Sequence, residues 1–169
     1  MSVATAAEIK RLPVGIGQLV VTTSRDDVLV AYGLGSCVGI TAFDPIVGVA
    51  GMAHVLLPTS DGRLADSREP ARFADTAVTA LLNAMTRAGA RPTRLMVKLA
   101  GGASVLGPAS SATFKIGDRN AETIKEQLKL HGLIVTATDL GGVRGRTLEL
   151  HASSGKAFVR QAASMAVEF

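Results

Sequence analysis

The sequence offers one cysteine and three histidines as its reactive side chains. Cys37 follows Gly33-Leu34-Gly35-Ser36, glycines that let the backbone bend sharply and leave room above the sulfur for a substrate. A thiolate attacks carbonyl carbon well, and an imidazole beside the thiol stabilises that thiolate or takes its proton. The nearest histidine along the chain is His54. Two readings are open at this point. Cys37 and His54 form a nucleophile–base pair, or Cys37 is a small core hydrophobe and His54 hydrogen-bonds a backbone group within a strand.

The strand pattern makes the pair possible and leaves both readings open. Residues 37–43 and 49–57 alternate and branch like strands, with Asp44-Pro45-Ile46-Val47 between them as turn chemistry. With a four-residue loop at 44–47, Phe43 faces Gly48. Counting back along both strands then brings Cys37 directly opposite His54, with Cβ atoms about 4.5–5.5 Å apart. A loop of odd length would send the two side chains to opposite faces.

The other chemistry-bearing patterns are weaker. His131 precedes Gly132 at a helix C-terminus, where a cation is favoured by the helix dipole. His151 sits near a strand end with no visible partner. One Cys and three separated His residues give no zinc-type ligand spacing, so no metal is expected and no cofactor is called. Gly33 to Gly39 is not the dinucleotide fingerprint, and no Gly-Lys-Ser/Thr element accompanies it.

The remaining sequence reads as a short α+β protein. Its 169 residues favour one domain, here 1–169 with a core of about 14–161. Apolar residues make up 47 % and charged ones 19 %, which excludes disorder. Net charge is +4, but the Lys and Arg residues are scattered apart from short clusters such as Arg144 with Arg146. No aromatics interleave with them, so nucleic acid is not expected as a partner. No run of 18 apolar residues is present, and the lone cysteine fits a reducing compartment; membrane insertion is not expected and the location is read as cytoplasmic.

Gln18–Thr23 and Val28–Tyr32 are expected to pair as a first hairpin around Ser24–Asp27. A helix is expected from Pro70 to Gly89, with Ala74, Ala77, Val78, Leu81 and Met85 on one face. Thr93–Leu99 reads as a strand, followed by a loop through Thr113. A second helix carries Ala121, Ile124 and Leu128, with Asp118 or Asn120 as its cap and Gly132 as its stop. Leu133–Leu140 is a further strand, and Arg146–Ala152 with Lys156–Gln161 forms a hairpin. About seven strands and two helices, mostly hairpin-linked, argue for α+β with layered, mostly antiparallel or mixed sheets.

Several blocks in one order carry a resemblance. Gly33-Leu34-Gly35-Ser36-Cys37-Val38, Asp44-Pro45 and Ala53-His54-Val55-Leu56-Leu57-Pro58 resemble the chemoreceptor glutamine deamidases of the CheD family. So do Arg72-Phe73-Ala74-Asp75-Thr76-Ala77, Ala100-Gly101-Gly102-Ala103-Ser104, Ile116-Gly117-Asp118-Arg119-Asn120, Asp139-Leu140-Gly141-Gly142 and Gly145-Arg146, over roughly residues 14 to 160. The resemblance implies a layered αββα sandwich and hydrolysis of glutamine side-chain amides in methyl-accepting chemoreceptors. It implies Cys37 as nucleophile, His54 as catalytic histidine, and a CheC-type phosphatase as a further partner. Methylesterase action on the same receptors, or non-catalytic binding of receptors or of that phosphatase, are the alternatives. The family's third catalytic residue, a Thr six positions before the Cys, is replaced here by Ala31. Thr22, Thr23, a backbone carbonyl or a water is then expected to orient His54, with a slower enzyme that Ala31→Thr would speed by about tenfold.

Overall fold

The computed structural model describes residues 8–64, 66–105 and 116–169. Most of the loop expected through Thr113 lies outside these residues, as does the start of the chain. Two five-stranded sheets stack face to face. The first contains β1 (Lys10–Pro13), β3 (Asp27–Leu34), β8 (Arg146–His151), β9 (Ala157–Gln161) and β10 (Val167–Glu168), in that order across the sheet. The second runs β2 (Leu19–Thr22), β5 (Val49–Val55), β4 (Val38–Asp44), β6 (Met96–Gly101) and β7 (Val135–Leu140). Each sheet has one parallel pair, β1 with β3 and β6 with β7, and is otherwise antiparallel.

Two helices, α1 (Ala74–Arg87) and α2 (Ile116–Leu130), pack against the second sheet. Their apolar residues recur at helical spacing: Ala74, Ala77, Val78, Leu81 and Met85 on α1, and Ala121, Ile124 and Leu128 on α2. Side chains alternate along each strand, so β4 and β5 serve two cores. Val38, Ile40, Ala42, Val49, Ala53 and Val55 face the helices, whereas Phe43, Ala50 and Met52 face the first sheet. This is the expected α+β sandwich, with both helices of the described residues on one side.

Several boundaries differ from the sequence reading. The helix after Pro70 begins at Ala74, because Ala71 to Phe73 are engaged in turns, with Ala71 N–H donating to Gly17 O (2.8 Å). Asp118 and Asn120 lie inside α2 rather than capping it. The first hairpin does not form: β2 pairs with β5 and β3 with β1 and β8, in different sheets. Alternation alone marks a strand without naming its partner.

The hairpin of β4 and β5 forms, but in a register slid by two residues. Asp44 pairs with Val49 and Gly39 with His54, so Phe43 faces Ala50 rather than Gly48. The cause is Asp44. Its carboxylate accepts the N–H of Ile46 (3.0 Å) and its carbonyl accepts the N–H of Gly48 (2.9 Å), so the loop is 45–48 and Asp44 itself is strand. The carboxylate is fully buried against Arg94 (2.6 Å) and the N–H of Arg91 (2.9 Å). Burial alone would raise its pKa, but the donors from Arg94, Arg91 and Ile46 outweigh that and hold it at about 2.

A depressed carboxylate pKa stabilises the fold above the ordinary value of 3.8, and this contribution, about 2 kcal/mol, is lost as pH falls toward 2. Asp44→Ala is therefore expected to cost about 3 kcal/mol near pH 7, because it also strands the Arg94 guanidinium. Urea unfolding at several pH values checks this. The gap from wild type should narrow below pH 4, and a gap independent of pH would contradict the assignment.

Candidate active site

Cys37 lies where the chain crosses from one sheet to the other, between the end of β3 and the start of β4. The crossing begins with a bulge. Ala31 pairs with Leu148 and Leu34 with Arg146, which leaves Tyr32 and Gly33 opposite Thr147 alone. Gly33 takes a φ of +65°, a left-handed conformation that other residues adopt at a cost. The bulge turns β3 off its ladder and delivers Gly35, Ser36 and Cys37 to the second sheet.

Backbone bonds fix that turn. The N–H of Gly102 donates to Cys37 O (2.8 Å), and the N–H of Ala103 donates to Gly35 O (2.7 Å). Gly101 must be glycine: its φ is +113°, and a Cβ would lie 2.2 Å from Cys37 O. The loop after β7 braces this segment, with Gly141 N–H donating to Gly101 O (2.9 Å) and Ser104 N–H to Gly142 O (2.8 Å). Arg146, buried at the start of β8, donates to the carbonyls of Asp139 and Gly141 and pairs with the Asp139 carboxylate. The blocks 100–104, 139–142 and 145–146 thus converge on the turn that carries Cys37.

The thiol is buried, with 7 % of its surface exposed, and packs in the core between the sheets. A glycine bend suggests a surface-facing thiol, but here Cys37 packs with the core between the sheets. Burial pushes its pKa up, while its own backbone N–H, directed toward the sulfur, pulls the other way.

His54 stands on β5, across from Gly39. Cys37 is two residues before Gly39, so the register makes it a diagonal neighbour of His54 rather than its direct partner, at a Cα spacing of about 7–8 Å. The slide is by an even number of residues, so both side chains remain on the face turned toward the first sheet. The backbone of His54 is tied to the segment before β2: its N–H donates to Gln18 O (3.0 Å) and its carbonyl accepts from Gly17 N–H (2.8 Å).

The ring of His54 is held by Val14. Its Nδ1 lies 3.0 Å from Val14 O, and since a carbonyl only accepts, Nδ1 carries the proton. Nε2 is then the bare lone pair. It is buried and has no hydrogen-bond partner among the described residues. Burial lowers the pKa of the ring, with the Val14 bond opposing. With the thiol shifted up and the imidazole shifted down, both groups rest neutral.

Among the described residues, no threonine hydrogen-bonds His54. Thr22 pairs across from Ala50 and donates to Asp27 (2.5 Å), which occupies its hydroxyl, and Thr23 lies beyond the end of β2. Ala31 is fully buried in the inter-sheet core. Of the groups named from the sequence, a backbone carbonyl holds the ring, that of Val14. The ring is thus held without any hydroxyl. We expect Ala31→Thr to change kcat/KM by less than about threefold, equivalent to about 0.7 kcal/mol, rather than to raise it tenfold. Steady-state kinetics on a glutamine-bearing receptor fragment decides this. A tenfold gain would mean that the new hydroxyl displaces Val14 from the ring.

The other histidines stay away from this cluster. His131 Nε2 is 3.0 Å from Thr79 Oγ1, between the two helices, and His151 has partners after all in Glu149 (3.6 Å) and the ring of Phe158. No group of three or more His, Cys, Asp or Glu among the described residues is arranged to hold a metal ion. No helix among them is long and apolar enough to cross a membrane. Sequence reasoning missed Val14, whose contribution is a backbone carbonyl and leaves no trace in residue type. Arg146, read from the sequence as half of a short basic cluster with Arg144, is instead buried among carbonyls.

A family model described as CheD chemotactic sensory transduction matches residues 56–161. A protein of Symbiobacterium thermophilum named "Probable chemoreceptor glutamine deamidase CheD" is 44 % identical over 147 residues, 86 % of this chain and 89 % of that protein. This chain belongs to the CheD family. Further CheD relatives are found in Caldanaerobacter subterraneus, 42 % identical over 154 residues covering 90 % of this chain and 94 % of the relative. In Thermotoga maritima the protein named "Chemoreceptor glutamine deamidase CheD" is 41 % identical over 148 residues, 88 % of this chain and 90 % of its own. The family model begins beyond Cys37 and His54, but an alignment covering 86 % of this CheD chain or more must span both. A crystal structure of the hypothetical protein YfiH of Bacillus licheniformis is similar at a TM-score of 0.47 and 11 % identity, covering 82 % of this chain and 61 % of that one.

Proposed function

We propose that this CheD-family protein hydrolyses the side-chain amide of specific chemoreceptor glutamines, with Cys37 as nucleophile and His54 as general base and acid. The observation that carries the reading is the His54 ring: its Nδ1 proton is committed to Val14 O, and its bare Nε2 lies on the same sheet face as Cys37. As the sulfur attacks the carboxamide carbon, the thiol proton passes to Nε2. The backbone N–H of Cys37, already directed toward its own sulfur, is suited to the developing oxyanion. The C–N bond breaks, Nε2 returns the proton to the leaving nitrogen, and ammonia departs. Water, deprotonated by the same nitrogen, then hydrolyses the thioester and frees glutamate and the thiol.

Each turnover adds one negative charge to the receptor, which is a local electrostatic input to a signalling equilibrium. Methyl-accepting chemoreceptors are the partners in this reading, with a CheC-type phosphatase as a second one. We take the compartment to be the cytoplasm, where a lone thiol stays reduced. Incubating the protein with a purified receptor fragment and mapping its peptides by mass tests the proposal. Conversion of particular glutamines to glutamate is expected. A folded protein that binds the fragment and converts none would instead be a non-catalytic regulator, and loss of methyl esters without loss of amides would make it a methylesterase.

A further inference from the structure

Asn120 has a place in the structure that neither its position in α2 nor the reaction requires. Its side chain is fully buried. Its single amide nitrogen donates twice, to Ser36 O (2.9 Å) and to Leu56 O (3.0 Å). These carbonyls belong to the residue before Cys37 and to the second residue after His54. The ladder between β4 and β5 ends at Val38 with Val55, and continuing its register by one step sets Cys37 against Leu56. At that step the chains part, for the N–H groups of Leu56 and Leu57 turn away to Arg72 O (3.1 and 3.0 Å). The Asn120 amide thus bridges the open end of the hairpin where the next rung would be.

The helix is brought close enough for this by a contact between glycines. A Cβ on Gly117 would lie 2.6 Å from Gly102 O, and Gly102 is the residue whose N–H holds Cys37 O. The first turn of α2 is therefore seated on the segment that fixes the nucleophile turn.

We infer that Asn120 is a positioning residue for the Cys37–His54 pair, holding the thiol turn and the end of the histidine strand at one separation. The inference rests on the functional reading above. It differs from an ordinary core role, since a residue that merely anchors α2 would affect stability and leave the chemistry of Cys37 unchanged. Small displacements of reacting groups are costly: a shift of about 1 Å lowers a rate by about 100-fold. Asn120→Leu keeps the approximate shape and removes both bonds.

The experiment measures the rate of Cys37 alkylation by iodoacetamide as a function of pH, which needs no receptor, alongside kcat and KM on a receptor fragment. Asn120→Leu and His54→Gln are compared with Ile124→Val, a packing change at a buried position on the same helix. With wild-type protein, alkylation near neutral pH should depend on His54 and fall in His54→Gln. Asn120→Leu should show the same loss of His54-dependent reactivity, a kcat lower by about 100-fold and a KM within about threefold of wild type. Ile124→Val should lose some thermal stability and keep wild-type alkylation. Wild-type alkylation in Asn120→Leu, with the His54→Gln effect present, overturns the inference and leaves the Cys–His reading standing. A wild-type thiol that is inert, or indifferent to His54, overturns that reading itself and the inference with it.

Discussion

His54→Gln is expected to lower kcat/KM for deamidation by about a thousandfold, the loss that follows removal of a general base and acid. Glutamine is the informative replacement. Its amide nitrogen can still donate to Val14 O, so the local packing and one hydrogen bond are kept while the basic lone pair is removed. The pH profile should separate this loss from simple damage. In the wild type, kcat/KM should stay level from neutral pH downward and fall only below the ordinary imidazole value of 6.5, because burial lowers the pKa of this ring. In the variant that acid limb should vanish. Its residual rate should instead climb with pH across the neutral range, since a thiol whose pKa is raised above 9.0 must ionise without help. An unchanged acid limb in His54→Gln would assign the titration to another group.

The same shift has a consequence for folding. A ring whose folded pKa lies below its unfolded value binds fewer protons in the native state, so stability falls as pH drops through the range beneath 6.5. His54→Gln should lose less stability than wild type over that range, and thermal melts at matched pH values measure the difference.

Much of the layered architecture is written in the residue pattern, because alternation along strands and the spacing of Ala77, Leu81 and Met85 are local signals. Pairing is not local. The segments 18–23 and 28–32 read as a hairpin because they adjoin in sequence, yet β3 is drawn into the other sheet by β8, more than a hundred residues away. The same limit applies to β4 and β5, where turn chemistry marks the loop but places Asp44 inside it. Its burial against Arg94 makes it strand and slides the register by two. Because the error was even, the shared face of Cys37 and His54 survived it; an odd error would have separated them.

Cys37 and His54 were legible as residues, but their setting was not. Whether a thiol after glycines faces water or core depends on what covers the bend, and here that cover comes from residues 100–104 and the loop braced by Arg146. Among the groups expected to orient His54, only the hydroxyls of Thr22 and Thr23 carry a sequence signature. A carbonyl such as that of Val14 is carried by every residue, and the fold alone selects which one is used. Asn120 was visible as a polar residue near a helix start. Its two acceptors, at positions 36 and 56, come together only once both sheets and α2 are assembled.

In the proposed mechanism the Cys37 sulfur performs the attack on the glutamine amide. Cys37→Ala removes that atom from a buried position and is expected to cost about 1 kcal/mol of stability, leaving the fold intact. Deamidation should fall by more than about ten-thousandfold, because an alanine methyl offers neither nucleophile nor proton to exchange with His54. The measurement is peptide mass mapping of a receptor fragment incubated with wild-type protein or with Cys37→Ala, both shown to be folded by circular dichroism. Glutamine-to-glutamate conversion is expected with the first and none with the second. Conversion by folded Cys37→Ala at a rate near that of wild type would contradict this mechanism.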